Sequence, residues 1–157
     1  MFKKFAPESV GRRLNFLFRI SKQHLRQEMK KLGVGEGDYA FIAILFVMDG
    51  LSQDELSRQM RVDKSYTARA VAKLEKMGMV ERRPDPDEHR IKRVFLAKRA
   101  REMELDVFNV LKGWHDTLVK GIDPEELAVI QAGLDRMIEN GQSALGLEPP
   151  DESFFRK

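Results

Sequence analysis

From Glu8 to Leu32, apolar residues recur at steps of three and four, at Val10, Leu14, Leu17, Phe18, Leu25, Met29 and Leu32. That spacing predicts one long amphipathic helix. The glycines of "GVGEG" (33–37) end it: Gly33 suits a left-handed cap and the others make a flexible connector. Asp38 is placed to cap a second helix through "YAFIAILFVM", apolar nearly all round and therefore expected to be buried, with "DG" at 49–50 as its stop. Ser52 and Glu55 have the spacing of a capping box, and a short helix with Leu56 and Met60 inward follows. "RV" (61–62) is a tight connection, and Asp63 caps the next helix, "KSYTARAVAKLEKMG". On it Thr67, Ala70, Val71 and Leu74 share one face, while Lys64, Ser65, Ala68, Arg69 and Lys73 share the other; Gly78 closes it. "MVERR" and "IKRVFL" alternate as two strands should, around the turn chemistry of "PDPDEH". A long helix is expected from about Lys98 through Met103, Val107, Phe108, Leu111, Trp114 and Leu118 to Gly121. Asp123, Pro124, Glu125 and Glu126 then start a last helix, expected to reach about Asn140, with 141–157 as a tail.

The 157 residues suffice for one domain with a real core, and the whole chain reads as a single domain. With 42% apolar and 34% charged residues it is expected to be globular rather than disordered. No apolar run approaches the roughly 18 residues that cross a bilayer. The start, "MFKKFAPESVGRRLNFLF", lacks the apolar core and cleavage site of a signal peptide, so a cytoplasmic location with no membrane partner is expected. The absence of cysteine excludes disulfides, zinc–cysteine sites and thiol redox sensing.

Charge is unevenly spread. Residues 58–101 carry 14 Lys and Arg against 6 Asp and Glu, whereas 102–157 carry 5 against 12. A basic middle followed by an acidic segment fits a polyanion-binding centre joined to a part with another task, although a solvated lysine-rich face has the same composition.

Two short helices joined by a tight turn and followed by a two-stranded ribbon make a winged helix-turn-helix, expected over 38–97. The fold class is mainly α with a small β-wing. In such a unit the first helix braces the second, whose polar face can enter a major groove about 12 Å wide. Lys64, Ser65, Arg69 and Lys73 are the candidate groove contacts. Arg69 is suited to guanine and Lys73 to a phosphate, while Tyr66 can touch a sugar or thymine, or simply pack. Arg82, Arg83, Arg90 and Lys92 are the candidate contacts of the wing.

From the first helix to the last, and most specifically over "LSQDELSRQMRVDKSYTARAVAKLEKMGMVERRPDPDEHRIKRVFL", the sequence resembles the MarR (multiple antibiotic resistance regulator) family of transcription regulators. The resemblance implies a wing-tip Asp-x-Arg element whose arginine enters the minor groove while the acid holds it. Glu88 and Arg90 stand at those positions, with the acid one methylene longer. Asp85, Asp87 and Glu88 are then orienters, with Asp87 and Glu88 as the brace. The resemblance also implies a homodimer joined through helices at 8–32 and 98–140, and a repressor that binds a pseudo-palindromic duplex DNA and responds to small aromatic or phenolic anions. Arg19, His24, Tyr39, Trp114 and His115 are the candidate effector-lining residues. Ala97 and Ala100 replace the family's usual Thr and Gly after the second strand, which predicts a straighter lead into the long helix.

His24, His89 and His115 have no mutual metal-ligand spacing, so neither a metal nor a cofactor is expected. No Ser-His-Asp arrangement, phosphate-binding glycine loop or H-E-x-x-H is present, which argues against an enzyme. Winged helices also dock proteins and bind RNA. The basic helix face disfavours protein docking, whereas charge alone does not separate RNA from DNA.

Overall fold

The computed structural model describes residues 8–35 and 37–147. Helix α1 spans Val10–Lys31. Ser9 caps it by accepting the Arg12 amide at 3.2 Å, and Lys30 and Lys31 occupy the last turn, where cations complement the helix dipole. At Gly33, with φ of 76°, the chain turns away. The Gly33 amide then reaches the Lys30 carbonyl and the Val34 amide the Met29 carbonyl, satisfying acceptors that a helix end leaves open.

Helix α2 spans Asp38–Val47. Asp38, expected as its cap, is instead its first residue. Gly37 holds the cap position at φ 82°, a conformation that would strain an aspartate, and it has no side chain with which to cap the helix. Phe41, Ile42, Ile44 and Leu45 are buried, as the continuous apolar run predicts.

Strand β1 (Leu51–Ser52) leads into α3 (Gln53–Met60) and α4 (Lys64–Lys76). Both expected caps are present: Ser52 and Glu55 form a reciprocal capping box, and Asp63 accepts the Tyr66 amide at 2.7 Å. Arg61, at φ 52°, makes the turn between the two helices. The predicted inner face of α4 (Thr67, Ala70, Val71 and Leu74) is buried, and the Ser57 and Thr67 hydroxyls meet at 2.9 Å in the interior, pinning α3 to α4.

Strands β2 (Val80–Pro84) and β3 (Lys92–Leu96) form the wing, and β1 adds to the far edge of β3 in the order β1-β3-β2. All pairings are antiparallel, with Ser52 opposite Arg93 and Arg83 opposite Arg93 on the other side. The ribbon read from the sequence is thus two strands of a three-stranded sheet; a strand of two residues has no periodicity to detect.

The helix expected from Lys98 is divided into α5 (Lys98–Glu102) and α6 (Glu104–Leu118), which corrects the expectation of a straight lead from Ala97 and Ala100. Ala100 is fully buried, and the Met103 amide bonds to its carbonyl three residues back, a tighter turn that interrupts the helix. Helix α7 spans Pro124–Leu145, with Asp123 capping and Pro124 in the first turn. It runs past Asn140 through Gly141 and ends at Gly146 in the left-handed conformation, so 141–145 belong to the helix and not to a tail. The last part of the expected tail, 148–157, lies outside the described residues.

Met29, Phe41, Leu45, Leu56, Leu74, Met79 and Val94 form the centre of one core between α1, α2, the helix-turn-helix and the sheet. Each such side chain contributes about 1.5–3 kcal/mol by leaving water. Helix α7 buries nothing, and Val129 on it is 73% exposed. No helix among the described residues is long and apolar enough to cross a membrane.

Candidate nucleic-acid interface

Burial of Thr67, Ala70, Val71 and Leu74 turns the opposite face of α4 outward. Lys64, Ser65, Ala68 and Arg69 are exposed there. Arg69 makes no hydrogen bond or ion pair with another described residue, so its five donors are available to a ligand. Lys64 pairs with Asp54 of α3 at 2.7 Å, with both side chains in solvent. An exposed pair is worth at most about 1 kcal/mol, so a phosphate can replace the partner. Tyr66 is half in and half out: its ring centroid lies 6.1 Å from that of Phe41.

Lys73 is differently placed. Its ammonium lies 2.6 Å from the Asp38 carboxylate, and Asp38 is only 4% exposed. The two residues are 35 positions apart, so no local spacing connects them.

Within the wing the arginines have distinct tasks. Arg82 grips Glu75, in the last part of α4, through both Nε and Nη2, which raises the guanidinium pKa and lowers that of the Glu75 carboxyl. Arg83 pairs with Glu81 and lies 4.9 Å over the Phe95 ring. Arg90 and Lys92 are exposed, and no hydrogen bond or ion pair joins Arg90 to Glu88.

The wing turn is held by Asp85 instead. Its carboxylate accepts the amides of Asp87 at 2.8 Å and Glu88 at 3.0 Å, and the guanidinium of Arg93. Asp87 and Glu88, expected to brace through their carboxylates, thus take part through their main chain. The Glu88 amide, then Arg93, then the Asp87 amide hold the Asp85 carboxyl below its ordinary pKa.

No local pattern in the sequence singles out Arg93, which joins several of these parts. It also donates to the Gly50 carbonyl at 3.0 Å and lies 3.4 Å from Glu55, so one side chain ties the wing turn to the start of α3. Burial pushes the Glu55 carboxyl up, but the Ser52 amide, the Ser52 hydroxyl and Arg93 outweigh it and leave the group below its ordinary value. Only the pairing of β1 with β3 brings these groups together, and that short strand leaves no trace in the residue pattern.

Of the expected effector-lining residues, His24 and Trp114 come together: their rings stack with centroids 4.3 Å apart. The Trp114 indole nitrogen is buried without an acceptor among the described residues. Tyr39 packs at the edge of the core, and His115 is exposed. Arg19 lies apart from them; it bonds to Asn15 and lines an open trough of about 610 Å³ along α1 with Lys22, Gln23, Arg26, Gln27 and Lys30. No group of acidic or histidine side chains among the described residues could hold a metal ion.

Residues 36–92, the helix-turn-helix and most of the wing, match the family model described as the MarR family. A MarR transcriptional regulator from Methanosarcina mazei Go1 shares the fold with a TM-score of 0.80 and 30% identity, covering 86% of this chain and 97% of that one. The chain belongs to the MarR family. It is a transcriptional regulator and not an enzyme. The HTH-type transcriptional regulator YybA of Bacillus subtilis (strain 168), itself uncharacterized, is 31% identical over 117 residues, which are 72% of this chain and 75% of that protein. A MarR regulator from Listeria monocytogenes, solved in complex with 26mer DNA, has the same fold with a TM-score of 0.80 at 17% identity, covering 90% of this chain and 97% of its own. Within a MarR fold, the exposed face of α4 is that of the second helix of the helix-turn-helix, and Arg90 stands at the tip of its wing.

Proposed function

We propose that the protein is a homodimeric repressor, acting in the cytoplasm, that binds a pseudo-palindromic duplex operator and leaves it when a small aromatic or phenolic anion binds. The observation that carries the reading is the two-sidedness of α4, with four buried residues on one face and Lys64, Ser65 and Arg69 exposed on the other. Arg69 reads a base edge in the major groove, Lys64 and Ser65 meet the backbone beside it, and Tyr66 borders the sugar. Arg90 enters the minor groove, whose negative potential favours a guanidinium, with Lys92 beside it. Arg82 and Arg83, held by Glu75 and Glu81, contribute positive field more than direct contact.

A homodimer is supported by apolar surface that one chain leaves uncovered: Phe16 and Phe18 on α1, Phe108 on α6, and Val129 and Leu145 on α7. Scattered exposed apolar residues are ordinary, but an entire 22-residue helix with no buried position is not. Two copies joined there would present two α4 helices to half-sites about one DNA turn apart.

The effector reading is supported by the stacked His24 and Trp114 and by the indole N–H, a donor with no acceptor among the described residues that a carboxylate or phenolate can use. Such a ligand releases DNA only if it binds better to one separation of the two reading heads.

The test is selection of random duplex DNA on the purified protein, followed by salt titration of the winning sequence and of the matching RNA duplex. A palindromic winner whose affinity falls steeply with salt is expected. No enrichment, or equal binding of RNA, overturns the operator reading.

A further inference from the structure

Lys73 was expected to meet a phosphate, yet its ammonium is 2.6 Å from the Asp38 Oδ2. The pair is lopsided: the Lys73 side chain is 56% exposed and the Asp38 side chain 6%. A carboxylate that far from water costs heavily without a partner, so Lys73 cannot leave it cheaply.

The neighbouring loop is built around the contact. A Cβ at Gly35 would lie 2.5 Å from Asp38 Oδ2 and 3.0 Å from Lys73 Nζ, and one at Gly37 would lie 2.7 Å from the Tyr66 hydroxyl oxygen. A side chain at either position would push the Asp38 carboxylate, the Lys73 ammonium or the Tyr66 hydroxyl aside, so glycine at both lets the segment between α1 and α2 lie against α4 with these groups in place. Tyr66, whose ring faces Phe41 of α2, and Lys73 lie two turns apart on α4. The start of α2 therefore grips α4 at two points along its length.

We infer that Asp38 is a positioning residue for DNA reading: through Lys73 it fixes the angle of α4 against α1 and α2, and so the separation of the two reading helices in a dimer. Lys73 is part of this latch and not a phosphate contact. The inference rests on the operator-binding reading, but the latch itself can be measured without DNA.

Two physical signs separate a latch from a phosphate contact. If Lys73 bound phosphate, removing the Asp38 charge would free the ammonium and strengthen binding, whereas loss of a latch weakens it. If Lys73 bound phosphate, Lys73→Gln would lower the slope of log affinity against log salt by about 0.9, one counterion's worth. Loss of a latch leaves the slope unchanged.

The experiment compares the full chain with Asp38→Asn, Lys73→Gln, the double variant and Gly35→Ala. The last prises the pair apart without changing any charge. Each single variant is expected to weaken binding to the selected operator about tenfold, the size of one lost charge-assisted hydrogen bond, at an unchanged salt slope. The double variant is expected to be no weaker than either single one, since both remove the same contact. A second round of selection on Asp38→Asn should accept half-site spacings one base pair longer or shorter than wild type accepts, a change that mere destabilisation does not produce. Tighter or unchanged binding by Asp38→Asn, or a lowered slope for Lys73→Gln, overturns the inference.

Amide hydrogen exchange of residues 64–76 without DNA completes the test. Faster exchange in Asp38→Asn and Gly35→Ala is expected, and exchange equal to wild type overturns the latch. If the wild-type chain binds no duplex at all, the operator reading fails while the exchange result still decides whether the latch exists.

Discussion

Arg93 near the start of β3 and Asp85 at the wing turn are joined by an ion pair that closes the wing on itself. The same guanidinium reaches the Gly50 carbonyl and Glu55, so the wing is tied to the helix-turn-helix. A wing free to swing would lose more entropy on entering a groove, so this tie favours binding before any DNA contact is made.

The tie has a pH signature. The Asp85 and Glu55 carboxyls lie below their ordinary values of 3.8 and 4.5. A depressed pKa contributes stability that is fully present above the unfolded value and lost as pH falls through the folded one. Urea midpoints are therefore expected to be insensitive to these two groups between pH 7 and 5, and to fall once the pH drops below about 4.5. Arg93→Gln should lower the midpoint at pH 7 and flatten that fall in part, since the Glu88 and Asp87 amides still hold Asp85 and Ser52 still holds Glu55. An equally steep fall in the variant would show that Arg93 adds nothing to their hold on these carboxyls.

Arg69 and Arg90 should separate by what they read. Arg69→Ala is expected to cost roughly 1–3 kcal/mol of operator affinity and to relax base preference at one position of each half-site. Arg90→Ala should weaken binding while leaving the major-groove preference in place. Selection repeated on each variant measures both effects. Unchanged affinity in both would mean that the assigned faces do not touch DNA.

Val129 tests the dimer. It is 73% exposed, so Val129→Asp removes nothing from the fold of one chain and should leave its helical content unchanged. If α7 joins two copies, a buried aspartate there disfavours association. Light scattering is then expected to show a monomer, and half-site cooperativity should disappear. A variant that stays dimeric places the interface elsewhere.

Trp114 is the only tryptophan in the chain, so its fluorescence reports on one place. Titration with benzoate or salicylate is expected to change that emission and, in parallel, to release the selected operator. His24→Ala should abolish both responses by removing the stacked ring. Release of DNA without any change in emission would put the effector somewhere else.

What sequence reasoning could see was local. Ser52 with Glu55, Asp63 with the Tyr66 amide, and Asp123 with the Glu126 amide are partners three residues apart, and each forms as the residue types require. The stripe Thr67, Ala70, Val71 and Leu74 is buried because a helical period of 3.6 leaves no other face for it. Where a local preference met a tertiary demand, the demand prevailed. The expected long helix is interrupted at Met103, whose amide turns back to the Ala100 carbonyl, and the left-handed turn at Gly37 moved Asp38 from the cap into the first turn of α2, where it meets Lys73.

By itself, then, the sequence determined the helices, the wing and the basic outward face of α4, because periodicity and capping act within a few residues. Tertiary structure alone decided which charges are free to meet a ligand. Lys73 is committed to Asp38 across 35 positions and Arg93 to Glu55 across 38, while Arg69 has no such partner among the described residues. An ion pair depends on distance in space, and no spacing along the chain encodes a distance that only the packing of α2 on α4 and of β1 on β3 creates.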